Sequence, residues 1–144
     1  MSGSTKNSKL KTQNYIDVSA ALIFRDGKLL VARRHPDVHL GGLWEFPGGK
    51  RDPHETFEQC LVREIREELG VEISVGRLFE EIVHTYPEKT VHLKFYICAV
   101  ITGEPQPLGS AAVQWVERDA LDTYEFPAAD AQLLVKLKAM EFKL

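Results

Sequence analysis

Cysteine is scarce in this chain: only Cys60 and Cys98 occur among its 144 residues. Two cysteines in a chain of this length form no disulfide framework, which excludes the small secreted scaffolds that disulfides hold together. Cys60 falls in a predicted helix and Cys98 in a predicted strand. We therefore expect both thiols to be reduced and to pack in the core.

Long apolar runs are absent as well. No stretch approaches the roughly 20 apolar residues that cross a bilayer. The first segment, Met1 to Asn14, is polar with three lysines and lacks the apolar centre of a signal peptide. We therefore expect a flexible lead over residues 1–14, a cytoplasmic location and no membrane partner.

A large excess of charge of either sign is also missing, since the net charge is −3. A broad basic surface for nucleic acid is not expected, and neither is a stable nucleic-acid partner, although a local basic pocket for phosphates remains open. The length favours a single core, and residues 15–144 are predicted to form one domain.

β-rich segments are the most frequent predicted elements of the chain. The predicted strands are Tyr15 to Phe24, Leu29 to Ala32, Ser74 to Tyr86, Thr90 to Ile101 and Val113 to Glu117. Asp26-Gly27 predicts a hairpin turn, because both residue types tolerate positive φ. Strands before and after one helix, with a second helix over Pro127 to Met140, predict an α+β fold with a mixed sheet packed between helices.

The clearest helix begins after Thr56, which can cap it, and Gln59 three residues later completes a capping box. Gly70 is expected to end the helix. The apolar stripe repeats every four residues and consists of Phe57, Leu61, Ile65 and Leu69.

Three carboxylates, Glu64, Glu67 and Glu68, share one stripe of this helix beside its apolar face. Like charges at i,i+4 destabilise a helix by a few tenths of a kcal/mol, and partial burial would add to that cost. A divalent cation would remove the conflict, and Mg²⁺ prefers such oxygen ligands. The alternative is a solvated acidic face that Arg63 partly neutralises.

The residues around the three carboxylates favour the metal site. Gly49 is followed after five residues by Glu55, and after seven more by Arg63-Glu64-Ile65-Arg66-Glu67-Glu68-Leu69-Gly70-Val71. This spacing is similar to the complete Nudix box, which constrains nine positions over 23 residues, and each of the nine matches.

The resemblance extends from about Val18 to Leu137. Segments typical of MutT-type Nudix enzymes are Arg33-Arg34, Leu43 to Lys50, Gly103-Glu104-Pro105 and Phe126 to Asp130. The resemblance implies the Nudix fold, an α/β/α sandwich around a mixed sheet. It also implies that water, activated by Mg²⁺ or by Mn²⁺ in its place, cleaves a nucleoside triphosphate to the monophosphate and pyrophosphate.

The same resemblance implies roles for the residues of the box. Glu64, Glu67, Glu68 and the Gly48 carbonyl would hold the metal. Glu55 would assist from beside it, and Arg63 would pair with a box carboxylate and fix its orientation. Glu64 is the first choice for the group that takes the proton of the attacking water, with Glu67 and Glu68 as alternatives.

One segment departs from the MutT pattern. Many MutT-type enzymes carry a further glutamate after the Gly-Glu-Pro turn, whereas Leu108 to Ala112 contains no acid here. The role of that glutamate is either dispensable in this chain or taken by a glutamate of the box. The number of metals also stays open.

Candidates for nucleotide recognition also follow from the resemblance. Asp130 would face the base, as an acceptor for an amino group or, when protonated, also as a donor; alternatively it serves only the start of a helix. Arg34 would contact a phosphate or the base edge, or is an exposed arginine at a strand end. The further pocket candidates are His39, Glu45, Phe46 and Glu88.

Three functions remain to be distinguished. The first is hydrolysis of an oxidised or ordinary (d)NTP, with 8-oxo-dGTP as the leading candidate. The second is the same fold acting on CTP-type nucleotides or on a 5′-triphosphorylated RNA end. The third is a non-catalytic domain that recognises damaged DNA, which the intact box disfavours. The expected partner is a small nucleotide, bound by a monomer or a homodimer.

Overall fold

The computed structural model describes residues 14 to 143 of the chain. The strands are β1 (Asn14–Arg25), β2 (Lys28–Arg33), β3 (Trp44–Glu45), β4 (Gly48–Lys50), β5 (Glu72–Thr85), β6 (Lys89–Thr102) and β7 (Ala112–Glu117). The helices are α1 (Phe57–Leu69) and α2 (Ala131–Lys138), with 3₁₀ turns at Arg118–Thr123 and Ala128–Asp130. The predicted flexible lead lies outside the described residues except for Asn14, which begins β1.

The strands form one mixed sheet in the order β3-β2-β1-β6-β5. β1 runs parallel to β6, whereas β5 is antiparallel to β6. β4 pairs with β1 and β7 with β2, both antiparallel. The expected α+β fold with a mixed sheet is confirmed.

The two faces of β1 belong to different cores, because alternate side chains of a strand point to opposite faces. Leu22 and Phe24 pack in the cluster that contains Leu133 of α2. Ala21 and Ile23 pack in the cluster that contains Leu61 of α1. The sheet is therefore covered by one helix on each face, which makes the predicted α/β/α sandwich.

The predicted turn after β1 and the predicted ends of α1 are confirmed. Asp26 and Gly27 both adopt positive φ, 53° and 77°, in the turn between β1 and β2. Thr56 and Gln59 form both hydrogen bonds of the capping box of α1. Gly70 ends that helix in the left-handed region, with φ of 70°.

Two elements differ from the expectation. Gly48–Lys50 forms the short strand β4, which two glycines do not indicate. The second helix is shorter than Pro127 to Met140. Its first turn is a 3₁₀ turn after Pro127, and at its end the Met140 N–H donates to the Leu137 carbonyl, an i→i+3 bond that tightens the last turn.

Cys60 and Cys98 are buried, unpaired thiols, as expected. Burial raises the pKa of both, to about 12 for Cys98. No helix within residues 14–143 has the length and apolar character needed to cross a membrane.

Candidate active site

Strand β4 brings the two glycines against β1 and the face of α1. Gly48 pairs with Ala20 and Gly49 with Ser19. A methyl group at Gly48 would overlap the Ser19 carbonyl, and one at Gly49 would overlap the Glu64 carboxylate. The absence of a side chain at Gly48 therefore allows β4 to pair closely with β1, and its absence at Gly49 leaves room for the Glu64 carboxylate of α1.

The carboxylates of α1 differ in their surroundings. Glu64 is 17% exposed and lies against Gly49. Glu68 accepts a 3.3 Å hydrogen bond from the Gly48 N–H. Glu67 is 59% exposed at the rim. The structure thus brings Glu64, Glu68 and the Gly48 backbone together, with Glu67 beside them, and these three glutamates form the carboxylate cluster.

Arg63 lies at the centre of an ion-pair network. Its guanidinium donates to both oxygens of Glu55, at 2.6 and 3.1 Å. It also donates to Glu64 at 3.0 Å, to Glu67 at 3.4 Å and to the Lys50 carbonyl at 3.1 Å. A planar guanidinium with five donors can hold all these oxygens at once.

This network shifts the titration of its members. Hydrogen bonds from Arg63, followed by one from the Asp52 N–H, lower the pKa of Glu55 to about 2. The hydrogen bond with Glu55 is the largest cause that raises the pKa of Arg63. Glu55 and Arg63 therefore stay charged across the physiological range and hold a fixed orientation beside the cluster.

The pKa values of Glu64 and Glu68 are raised rather than lowered. Burial, then the neighbouring Glu64 and Glu45 charges, raise the pKa of Glu68 to about 8. Burial also raises the pKa of Glu64. These carboxylates repel one another in a site that shields them from water, so an added cation would stabilise their charged forms.

The donor set fits Mg²⁺ in chemistry, because carboxylate and carbonyl oxygens are the ligands it prefers. Among the described residues, no three acidic, His or Cys side chains are already arranged around one point. Glu64 is turned to Arg63, and Glu68 to the Gly48 N–H. Each of these bonds uses one carboxylate oxygen, so Glu64 could hold a metal through its other oxygen and keep its bond to Arg63.

A cavity of about 380 Å³ adjoins this cluster. Its apolar lining comes from the parallel strands β1 and β6 and includes Ile16, Val18, Val91 and Leu93. Its charged lining consists of Arg34, Glu45, Lys50, Glu68, Lys89 and Asp130. An apolar floor with a few convergent charged groups is typical of a small-molecule site.

Three of the predicted pocket residues are joined on one wall. Arg34 donates to Glu45 at 2.9 Å and to the His39 carbonyl at 2.7 Å, and all three line the cavity. The Phe46 ring also lines it and stacks on Phe126, with centroids 5.1 Å apart. Arg34 is held in place rather than free at a strand end.

Asp130 faces the cavity and is only 8% exposed. Within the described residues, its side chain makes no capping hydrogen bond to α2. Asp130 thus stands at the N-cap position of α2 without forming the hydrogen bond of a side-chain cap. Burial, then the charge of Glu45, raise the pKa of Asp130 to about 6.

Glu88 was predicted to line the pocket, but it does not. It is exposed at the turn between β5 and β6, and Tyr86 and Lys89 line the cavity instead. The backbone pair between Tyr86 and Lys89 closes the turn and leaves Glu88 at its tip. Alternation along β6 could have identified Lys89, because Val91 and Leu93 lie on the same face.

The segment without the additional acid also contacts the cluster. The N–H groups of Leu108 and Gly109 donate to the Glu68 carbonyl, at 3.0 and 3.2 Å. Gly109 lies against the Glu68 side chain, where an added methyl group would be 3.1 Å from Cγ. In this chain the loop covers Glu68 with its backbone.

Replacing Asp130 with asparagine should stabilise the protein more at pH 8 than at pH 5. The folded-state pKa lies above the unfolded one, so the stability that the neutral acid contributes is complete below about pH 4 and is lost as pH rises through about 6. The difference in the free energy of unfolding between Asp130→Asn and the unmodified protein should increase by about 1–2 kcal/mol from pH 5 to pH 8. Urea denaturation of both proteins at the two pH values measures this difference. A difference that does not change with pH would contradict the raised pKa of a buried Asp130.

Comparison with known proteins identifies the family of this chain. The NUDIX domain family matches residues 19–136. The chain belongs to the Nudix family. The CTP pyrophosphohydrolase of Escherichia coli K12 is 38% identical over 125 residues, covering 87% of this chain and 93% of that protein. The 8-oxo-dGTP diphosphatase of Haemophilus influenzae is 37% identical over 123 residues, covering 85% and 90%.

A solved structure of a MutT protein of the Nudix hydrolase family, from methicillin-resistant Staphylococcus aureus 252, agrees with this assignment, with a TM-score of 0.73 at 33% identity, covering 88% of this chain and 98% of that one. The solution structure of the E. coli ORF135 protein has a TM-score of 0.77 at 37% identity and covers 90% of this chain and 92% of that one. With relatives named pyrophosphohydrolase and diphosphatase, this MutT-type Nudix protein is an enzyme of the hydrolase class.

Proposed function

We propose that this Nudix hydrolase cleaves a (deoxy)nucleoside triphosphate to the monophosphate and pyrophosphate with Mg²⁺ or Mn²⁺, and that 8-oxo-dGTP is its preferred substrate. The cavity beside the carboxylate cluster supports a small nucleotide as the bound partner. The names of the relatives from E. coli and H. influenzae support the same substrate class. A cytoplasmic enzyme, acting as a monomer or homodimer, is part of the proposal.

The observation that supports a guanine base is the Asp130 carboxyl group in the cavity wall, and the preference for the oxidised base follows the name of the H. influenzae relative. With a pKa of about 6, it is mostly ionised at neutral pH and accepts hydrogen bonds only. Two carboxylate oxygens match the adjacent N1–H and N2–H donors of a guanine edge. A buried carboxylate left unpaired by another base would cost about 1–3 kcal/mol, which makes it a selective contact.

The residues of the box have separable roles in this proposal. Glu64, Glu67, Glu68 and the Gly48 carbonyl would hold Mg²⁺, which neutralises triphosphate charge and lowers the pKa of water when bound. Glu64 accepts the proton of the attacking water. Arg63, fixed by Glu55, orients Glu64. The apolar floor excludes water from the base.

The cationic groups of the cavity complete the proposal. Glu45 holds Arg34 on one wall of the cavity, which supports a role for Arg34 in contacting a phosphate or the base edge. Lys50 and Lys89 line the same cavity and add positive charge. The triphosphate would thus be bound by these cations as well as by the metal.

A nucleotide panel tests the activity. The purified protein is incubated with 8-oxo-dGTP, dGTP, CTP and dCTP, and the monophosphate and pyrophosphate are quantified with Mg²⁺ and with excess EDTA. We expect the highest kcat/KM for 8-oxo-dGTP and loss of turnover in EDTA. Full turnover in EDTA, or release of a single phosphate, would reject the mechanism.

A cytosine nucleotide is the second candidate, and Asp130 also favours it. A protonated carboxyl can donate to N3 of cytosine while its other oxygen accepts from the amino group. The E. coli relative that is 38% identical carries the name CTP pyrophosphohydrolase. The two candidates require opposite protonation states of the same residue.

The ratio of kcat/KM for 8-oxo-dGTP to that for CTP should therefore rise as pH increases through about 6. Ionised Asp130 suits guanine and the protonated acid suits cytosine. The other charged groups that line the cavity are the Glu45–Arg34 pair, Lys50, Lys89 and Glu68. Taking a ratio cancels effects common to both substrates. Asp130→Ala should reduce the difference in kcat/KM between the two substrates about tenfold and remove its pH dependence. An unchanged ranking of the bases would show that Asp130 does not select the base.

A further inference from the structure

Arg51, the first residue after β4, joins β1 to the segment that leads into α1. Its Nε and Nη2 donate to Asp17 Oδ2, at 3.2 and 2.7 Å. Its Nη1 donates to the Glu55 carbonyl at 2.8 Å. The Arg51 N–H also donates to the Asp17 carbonyl at 2.8 Å. One residue thus fixes both its own backbone and that of Glu55 to the sheet.

The side chain of Arg51 is partly shielded from water. The exposed fractions of Arg51 and Asp17 are 26% and 27%. The guanidinium also lies over the ring of Phe57, the first residue of α1, 5.1 Å from its centroid. Shielding and a stacked ring strengthen a charge-assisted pair relative to an exposed one.

From Glu55, the hydrogen bonds continue to the carboxylate cluster. The Glu55 carboxylate accepts two bonds from Arg63, and Arg63 donates to Glu64. The path from Asp17 in β1 to Glu64 in α1 is therefore continuous. Each step joins a charged group to an oxygen in a fixed orientation, so a shift of Glu55 would be passed to Glu64 through Arg63.

We propose that Arg51 is a positioning residue of the active site, which sets the place of Glu55 and, through Arg63, the orientation of Glu64. The proposal rests on the function proposed above. A lysine at position 51 has one point charge and cannot bind Asp17 and the Glu55 carbonyl with the same fork geometry. The full positioning effect therefore needs the arginine fork, and the charge alone supplies only part of it.

Arg51→Gln should lower kcat about tenfold and leave KM within about twofold, since Arg51 does not line the cavity. Arg51→Lys should recover part of the loss. The matched control is Arg25→Gln. Arg25 also makes two hydrogen bonds to a carboxylate, Glu104, and lies over an aromatic ring, Trp115, away from the site. The control should keep kcat.

A double-mutant cycle tests the route through Arg63. In an Arg63→Gln background, Arg51→Gln should have less than about a twofold effect, because the group that transmits it is gone. The same fold-loss in both backgrounds, or a loss equal to that of Arg25→Gln, overturns the proposal. If Arg51→Gln does not fold, Arg51→Lys takes its place in the cycle.

Mn²⁺ binding without nucleotide separates this proposal from the proposed function. Mn²⁺ affinity, measured by titration calorimetry, should fall in Arg51→Gln by several-fold and stay unchanged in Arg25→Gln. If no nucleotide is hydrolysed, the proposed function fails, and the same cycle in Mn²⁺ affinity decides the role of Arg51. Unchanged Mn²⁺ affinity in that case overturns it.

Discussion

Glu64→Gln is expected to reduce kcat on the order of 10²-fold or more, with the fold intact. The amide keeps the size of the side chain but removes the negative charge and the capacity to accept a proton. Glu64 is 17% exposed beside Gly49, and Arg63 orients its carboxylate. Steady-state kinetics in saturating Mg²⁺, with circular dichroism of the same sample, measures both effects.

The matched control is Glu58→Gln in the first turn of the same helix. Glu58 is exposed and is not part of the cluster. The control should keep kcat and circular dichroism within error. Activity near that of the unmodified protein in Glu64→Gln would assign the proton-accepting role to Glu67 or Glu68 instead.

Gly49→Ala should cost a similar factor in kcat, on the order of 10²-fold, without a comparable loss of stability. The added methyl group would overlap the Glu64 carboxylate, which is the end of a flexible side chain and can move aside. The fold survives because no backbone has to shift, but Glu64 leaves its position. Kinetics and thermal unfolding of one preparation separate the two outcomes.

Gly48→Ala provides the contrast. Its methyl group would overlap the Ser19 carbonyl of β1, a backbone atom in a sheet. Gly48→Ala should therefore lower the stability of the fold, whereas Gly49→Ala should lower only the catalytic activity. Equal melting temperatures for the two variants, or full activity in Gly49→Ala, would contradict the arrangement of β4 on α1.

Predictions from the sequence succeeded where the decisive interaction spans a few residues. Thr56 and Gln59 identify the start of α1, and Gly70 its end, because each signal is a single local hydrogen bond or backbone conformation. The carboxylate stripe follows from helix periodicity. Its meeting with Gly48 was expected only through the resemblance to the Nudix box.

The remaining features depend on pairings between distant segments. Arg51 and Asp17 are joined by β4 pairing with β1, which two glycines in sequence do not indicate. Lys89 rather than Glu88 reaches the cavity because a turn closes between Tyr86 and Lys89. The burial of Asp130 depends on how its 3₁₀ turn packs over the sheet. Periodicity within one segment contains none of this information.

The parallel pairing of β1 with β6 also determines when the site can form during folding. Ile16 pairs with Val91, and Val18 with Leu93, so the cavity floor is made from two strands far apart along the chain. Loop-closure entropy makes such pairings slow compared with forming α1. During synthesis α1 can form before the cavity exists, and a nucleotide bound there as proposed would selectively stabilise the completed fold.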